Sequence, residues 1–172
     1  MHKQFFLSDP HFGHNNILNF KDDDDKLVRP GFSSIEEHDT FIIDNINKVV
    51  RPQDKLYLLG DVVINRKNMS ILERINTKKI ILIKGNHDIF KLKDYLPYVK
   101  DIRAYKVMPK YGIIFSHIPI HPFDLDESER FNYNVHGHMH HKTLDDPRYI
   151  NVCVEQTMYT PVELNDILEV AK

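Results

Sequence analysis

The chain has a single cysteine, Cys153, which excludes an internal disulfide framework and a thiolate-rich metal site and suits a reducing compartment. Long apolar runs are also missing. None exceeds five residues, far short of a membrane span. The opening "MHKQFFLSDPHFGH" turns polar too soon for a secretory signal. A soluble, cytoplasmic protein without a membrane partner is therefore expected. Neither sign of charge dominates, since 23 basic residues face 25 acidic ones for a net charge of −2. No global field would recruit nucleic acid or an anionic membrane, although such a balance says nothing about local distribution. Internal repeats and linkers are lacking as well, so the 172 residues read as a single domain spanning 1–172.

Periodicity supplies the elements. "KQFFLSD", "KLYLLGD" and "KIILIKGNHD" read as short buried strands of the parallel type. "SIEEHDTFIIDNINKVV" reads as a helix, with Ser34 and Glu37 at capping-box spacing, Ile35, Ile42, Ile46 and Val49 on one face, and Pro52 just beyond its end. A short helix is expected near "MSILERI". After about residue 98 the rhythm becomes strand-rich: "VKDIRAYKVM", "GIIFSH", "YNVHGH" and "YINVCVE", with "MPKYG" as a hairpin connection. The tail "TPVELNDILEV" predicts a helix capped by Thr160, with Pro161 in its first position and Glu163 completing a capping box. The pattern is a mixed α/β domain, parallel early and more antiparallel late.

The strand-like segments end on chemistry: Asp9 and His11; Asp61; Asn86, His87 and Asp88; His117; His138 and His140. Each motif alone has an ordinary explanation. Asp-x-His and "GNHD" are plausible turns, and the glycine before Asp61 is common turn chemistry. Five turns that all carry metal-ligand residue types are harder to explain that way. The four histidines in "NVHGHMHH" also exceed structural need, and His138 and His140 would project together from an extended segment. Imidazole, carboxylate and amide donors without thiolate suit Zn, Mn, Fe, Co or Ni without selecting among them. A set this large overfills one four-coordinate site and suits two adjacent ions sharing a carboxylate, with Asp61 on a central strand as the natural bridge. Two such ions generate a nucleophile at neutral pH and clamp an in-line displacement, which is phosphoester hydrolysis.

The series "SDPHFGH", "GDVV", "GNHD", "SHIP" and "GHMH" resembles the calcineurin-like metallophosphoesterases, in their compact single-domain bacterial and phage form. The resemblance implies two mixed β-sheets packed as a sandwich flanked by helices, a four-layer αββα arrangement. It implies that Asp9, His11 and His140 hold one divalent ion and Asn86, His117 and His138 a second, with Asp61 and a hydroxide bridging them. His87 would protonate the leaving oxygen, and Asp88 would orient the His87 ring. Manganese is the first expectation for the metal, with Zn, Fe, Ni, Co or Mg as substitutes. The implied activity is hydrolysis of phosphate mono- or diesters, with a small phosphodiester or nucleotide as substrate and long nucleic acid disfavoured. Two alternatives stand beside it: a non-catalytic metal-rim scaffold that binds protein, and a metal-dependent nuclease. "HGHMHH" also nearly matches the H-x-H-x-D-H string of metallo-β-lactamase-like hydrolases, but it has His140 where Asp belongs and stands late in the chain.

Other residues have weaker claims. His14 and Asn15 read as turn or helix-start residues, His121 as a loop histidine or substrate contact, His136 as a supporting or core histidine, and His141 as a bystander. Arg29, Arg66 and Arg130 lie where a phosphate could be gripped. The run "KDDDDK" lacks calcium-loop spacing and reads as a solvated, mobile acidic loop near the rim.

Overall fold

The structure, a computed structural model, describes residues 2–171. Along the chain run β1 (Gln4–Leu7), α1 (Ile35–Val49), β2 (Lys55–Leu58), β3 (Ile80–Ile83), α2 (Leu92–Tyr95), β4 (Asp101–Arg103) and β5 (Tyr105–Met108). Then follow β6 (Ile113–Ser116), α3 (Pro122–Glu127), β7 (Tyr133–His136), β8 (Tyr149–Asn151), β9 (Val162–Glu163) and α4 (Leu164–Val170). Two mixed sheets result, ordered β4-β3-β2-β1-β9 and β5-β6-β7-β8. They pack face to face as a sandwich flanked by helices, as the resemblance implies. The chain crosses between them at Ala104, so the single expected strand "VKDIRAYKVM" is two, one in each sheet.

Strand alternation sorts the core. Phe6, Tyr57, Leu59, Ile81 and Ile83 face the second sheet, meeting Ile113, Phe115 and Val135. The Phe6 ring stacks on Phe115 at 4.3 Å and on Tyr57 at 4.8 Å, tying the sheets together. Each ring buried this fully contributes about 1.5–3 kcal/mol. The intervening residues Phe5, Leu7, Leu56, Leu58, Ile80 and Leu82 face Ile42, Ile43 and Ile46 of α1. That helix starts where expected, with Ser34 Oγ accepting from Glu37 N–H; the Glu37 carboxylate reaches one residue further back, to Ser33. Residues 117–127 cover the outer face of the second sheet: Ile120 N–H donates to Asn134 Oδ1 at 3.0 Å, and Leu125 of α3 is buried.

Two expectations about elements need correction. The helix expected near "MSILERI" is a 3-10 run, Arg66–Arg74. Its buried anchors Met69, Leu72 and Ile75 recur every third residue, which matches the 3-10 repeat and not 3.6. The C-terminal helix begins at Leu164, not after Thr160, because Val162 and Glu163 pair antiparallel with Phe6 and Phe5 and satisfy the free edge of β1. The Lys3–Glu163 ion pair at 2.6 Å fastens that edge. As expected, antiparallel pairing is confined to the later strands, β5 with β6 and β9 with β1, whereas β6–β7 and β7–β8 run parallel. The connection carrying α3 is six helical residues long, too short to announce a crossover from periodicity.

The acidic run is solvated and folds back in a turn. Asp22 Oδ1 accepts from Asp24 and Lys26 N–H, and Lys21 and Leu27 pair across the turn. Lys142 Nζ reaches Asp23 at 3.2 Å, which holds this turn beside the histidine cluster. Among the described residues no helix is long and apolar enough to cross a membrane.

Candidate metal centre

The parallel strands deliver their ends to one place. Backbone pairing continues past them: His11 N–H donates to Asp61 O, and Phe12 N–H to Val62 O. Ser8 pairs with Cys153, joining the first sheet to the chain that leaves β8, so the sandwich is closed at this end. Eight non-glycine residues among those described have positive φ, and five of them are Asp9, His11, Asp61, His138 and His140. Left-handed backbone in so many non-glycine residues is costly and persists only where the surroundings enforce it. The expectation that His138 and His140 alternate from an extended strand is corrected: β7 stops at His136, and both project from left-handed turns.

Two donor groups form. Asp9, His11 and His140 bring their ligand atoms within 4.8 Å of one another, and so do Asp61, His117 and His138. The groups meet at Asp61, whose Oδ2 lies 3.8 Å from His11 Nε2 and 3.5 Å from His117 Nε2. Asp9 Oδ1 stands 3.7 Å from His11 Nε2 and 3.8 Å from His140 Nε2. These separations exceed hydrogen-bond length and approach the roughly 3–3.5 Å between two donors that each sit about 2.1 Å from a common ion. Asn86 Oδ1 joins the second group, 2.8 Å from His117 Nε2. All seven expected ligands are thus brought together.

The donor set fits divalent cations. Asp9 Oδ1 and His11 Nε2 are buried and have no hydrogen-bond partner. Such orphaned polar atoms are expensive unless an ion completes them. Nitrogen and oxygen donors without sulfur suit the borderline and hard divalent metals but do not identify one.

A surrounding layer aims the ligands. Asp9 Oδ2 accepts from Ser8 Oγ at 2.5 Å, His138 N–H at 2.8 Å and Cys153 Sγ at 3.2 Å, leaving Oδ1 free. His117 Nδ1 donates to Leu59 O at 2.7 Å, which directs Nε2 inward. His140 Nδ1 pairs with Glu155 Oε1 at 2.8 Å, and His11 Nδ1 lies 3.3 Å from His14 Nδ1. Fixing the second ring nitrogen in this way is how ligating histidines are oriented. Burial opposes the charged form of His140, but the Glu155 carboxylate outweighs it and raises the ring's pKa. Burial and the neighbouring His11 and His87 press His14 down to about 4, so it is neutral near pH 7.

Glycines allow the close approach. A Cβ at Gly85 would strike the Asp61 carboxylate, and one at Gly137 would strike Ser8 Oγ and Asp9 Oδ2. Gly137→Ala is therefore expected to lower stability by about 1–3 kcal/mol through overpacking and to reduce metal content. Chemical denaturation and elemental analysis check both.

Asp88 needs correction. Its carboxylate does not orient His87. It is 1% exposed and accepts from the backbone N–H of Asp61, Val62 and Gly85 at 2.9, 3.1 and 2.9 Å. It ties the two ligand loops together, and burial raises its pKa. His87 is exposed, with its ring 5.8 Å from that of His11 and its N–H on Asp61 Oδ1 at 2.8 Å.

Arg29 is likewise no phosphate grip. It is 1% exposed and spends its donors on Asp9 O, Pro10 O, Glu155 and His38. Arg66 pairs with Asp94 at 2.7 Å and lines a cleft beside His14. Arg130 is exposed, and His121 Nδ1 caps α3 by accepting from Phe123 N–H. His136 is buried with Nδ1 on Gly137 O, a supporting residue as expected. Sequence reasoning missed Glu155; its one trace is a charged residue ending the apolar run "INVCVE".

No family model matches the chain. A protein of Methanocaldococcus jannaschii, "Uncharacterized protein MJ1445", is 34% identical over 98% of this chain and 91% of its own length. The gene 66 protein of Mycobacterium phage L5 is 27% identical over 69% of this chain and 52% of its own. Among solved structures, that of protein AQ665 from Aquifex aeolicus, described as of unknown function, has a TM-score of 0.76 and 29% identity, covering 99% of this chain and all of that one. At such identity along nearly its whole length, the chain belongs to the family of the Methanocaldococcus jannaschii protein MJ1445.

Proposed function

We propose that this chain is a metal-dependent phosphoesterase with a two-ion centre. The observation that carries the reading is the Asp61 Oδ2 position, 3.8 Å from His11 Nε2 in one donor group and 3.5 Å from His117 Nε2 in the other. Asp9, His11 and His140 would hold one divalent ion, Asn86, His117 and His138 the other, and Asp61 both. When bound, the ions supply Lewis acidity: a water activated near neutral pH and compensation for charge developing on the phosphoryl oxygens. Manganese is the metal proposed for activity.

The chain's own residues do the rest. His87, exposed beside His11, holds a proton for the leaving oxygen. Asp88 keeps the Asp61 and Gly85 loops in register, so that Asp61, Asn86 and His87 stay fixed relative to one another. A cleft of about 530 Å³ lined by His14, Asn65, Arg66 and Phe90 adjoins the first group, a size that suits a small phosphorylated ligand.

The test is hydrolysis of p-nitrophenyl phosphate and its bis-ester after chelator treatment, with Mn²⁺ and other divalent ions added back. Turnover is expected to return with metal. His87→Ala is expected to lower kcat by about 10²–10⁴ while metal content stays at the wild-type level. Silence toward both esters under every divalent ion overturns the reading.

A further inference from the structure

Lysines gather at the opposite end of the sandwich. Lys55 opens β2, Lys79 directly precedes β3, and Lys100 directly precedes β4. The register sets Leu56 against Ile80, Tyr57 against Ile81, and Ile81 against Asp101. Alternation then places Lys55 on the face of Tyr57, Lys79 on that of Ile81 and Arg103 on that of Asp101. This is the inner face, because Tyr57 and Ile81 belong to the core between the sheets. Lys106 comes from the second sheet, opposite Phe115, which lies in the same core. The inner positions along the open edge formed by β4 and β5 therefore carry cations where burial between two sheets would call for apolar side chains.

The five cations line a cleft of about 350 Å³ with the buried Tyr57 and Ile81 in its wall. Asp101 is the one carboxylate in the lining, and Arg103 Nε already donates to it at 2.6 Å. Four ammonium groups are left without an acid in that lining; Lys79 Nζ reaches a neutral acceptor, Gln53 O, at 2.9 Å. A chain of net charge −2 thus holds a concentrated positive cleft. Like charges converging on one cavity repel, and a multivalent anion seated among them removes that repulsion.

We propose that this cleft is a binding site for a small, multiply charged phosphate anion, either the phosphate chain of a nucleoside triphosphate or inorganic polyphosphate. Convergence on a cavity walled by both sheets, without a stripe along the surface, favours a compact anion over a nucleic acid strand. Six residues of roughly 3.3 Å rise put Lys55 on the order of 20 Å from Asp61. Phe115, opposite Lys106, precedes His117 by only two residues, so the cleft runs from the far end of the first sheet toward the metal centre. The site stands independently of the phosphoesterase reading.

Isothermal titration of the full chain with tripolyphosphate, in excess EDTA and about 0.1 M salt, tests it. One site per chain is expected. Lys79→Glu/Lys106→Glu should weaken binding at least roughly tenfold, and the milder Lys55→Ala/Lys100→Ala should weaken it in the same direction if the reversed pair folds poorly. His138→Ala, at the metal centre, should bind as wild type does. Equal affinity for ATP and tripolyphosphate assigns recognition to the phosphate chain, and tighter ATP binding adds the nucleoside; either supports the site. Absence of binding, wild-type affinity in both lysine variants, or loss of binding in His138→Ala overturns it. So does single-stranded RNA that displaces tripolyphosphate and binds more tightly, which would make the cleft a nucleic acid contact.

Discussion

Asp61→Asn is expected to empty both halves of the centre while leaving the fold intact. The amide has the shape of the carboxylate and can still accept from His87 N–H through Oδ1, as Asp61 does at 2.8 Å. What it loses is the charge on Oδ2, the atom within 3.8 Å of both His11 and His117. A single-ligand change, such as His138→Ala, weakens one group; the Asp61 change weakens two, because the same oxygen faces each. Metal content should fall by more than half and kcat by at least about 10²–10³, the scale seen when one charge-stabilising group is removed. Elemental analysis with aryl phosphate kinetics measures both. Two metals per chain and unchanged turnover in Asp61→Asn would show that the two donor groups are not coupled through this oxygen.

The donor cluster was legible in the sequence because chemistry limits which side chains can hold a metal ion. Asp9, His11, Asp61, Asn86, His117, His138 and His140 are donor types at strand ends, and the fold brings all seven together. What supports them was much less legible. The partner of His140 is Glu155, and that of Glu155 is Arg29, 126 residues away, a pairing that no spacing rule encodes. Asp88 was misread for another reason: the resemblance implied that it orients the His87 ring, whereas the carboxylate turns under the loop to the backbone of Asp61, Val62 and Gly85. Elements followed the same division. Buried four-residue strands announced themselves by composition, while β9 exists only because the edge of β1 needs a partner, overriding a good local helix start at Thr160. The left-handed backbone at five of the donor residues was invisible for a related reason, since Asp and His adopt it more often than most side chains but still only in a minority of cases, and the close packing around them imposes it.

Arg29→Met separates a structural cation from a substrate-binding one. An exposed arginine that grips phosphate would raise KM when replaced and leave stability alone. Arg29 instead has a fully buried side chain, donating from Nη2 to Asp9 O at 2.6 Å, from Nη1 to Pro10 O at 3.1 Å and from Nε to Glu155 at 2.8 Å. Methionine fills similar volume but leaves two carbonyls unpaired and the buried Glu155 carboxylate supported chiefly by His140. Breaking a buried ion pair from one side costs about 3–5 kcal/mol, because the remaining charge is uncompensated. Denaturant unfolding of the metal-free protein should show a loss of that size. Metal affinity should also fall by about 10–100-fold, since the Asp9 turn and the His140 ring both lose their support. Adding Glu155→Gln to Arg29→Met should recover part of the stability, because it removes the stranded charge, yet should not recover metal affinity, because His140 then loses its carboxylate partner. A variant with wild-type stability and a raised KM would return Arg29 to the substrate side of the site.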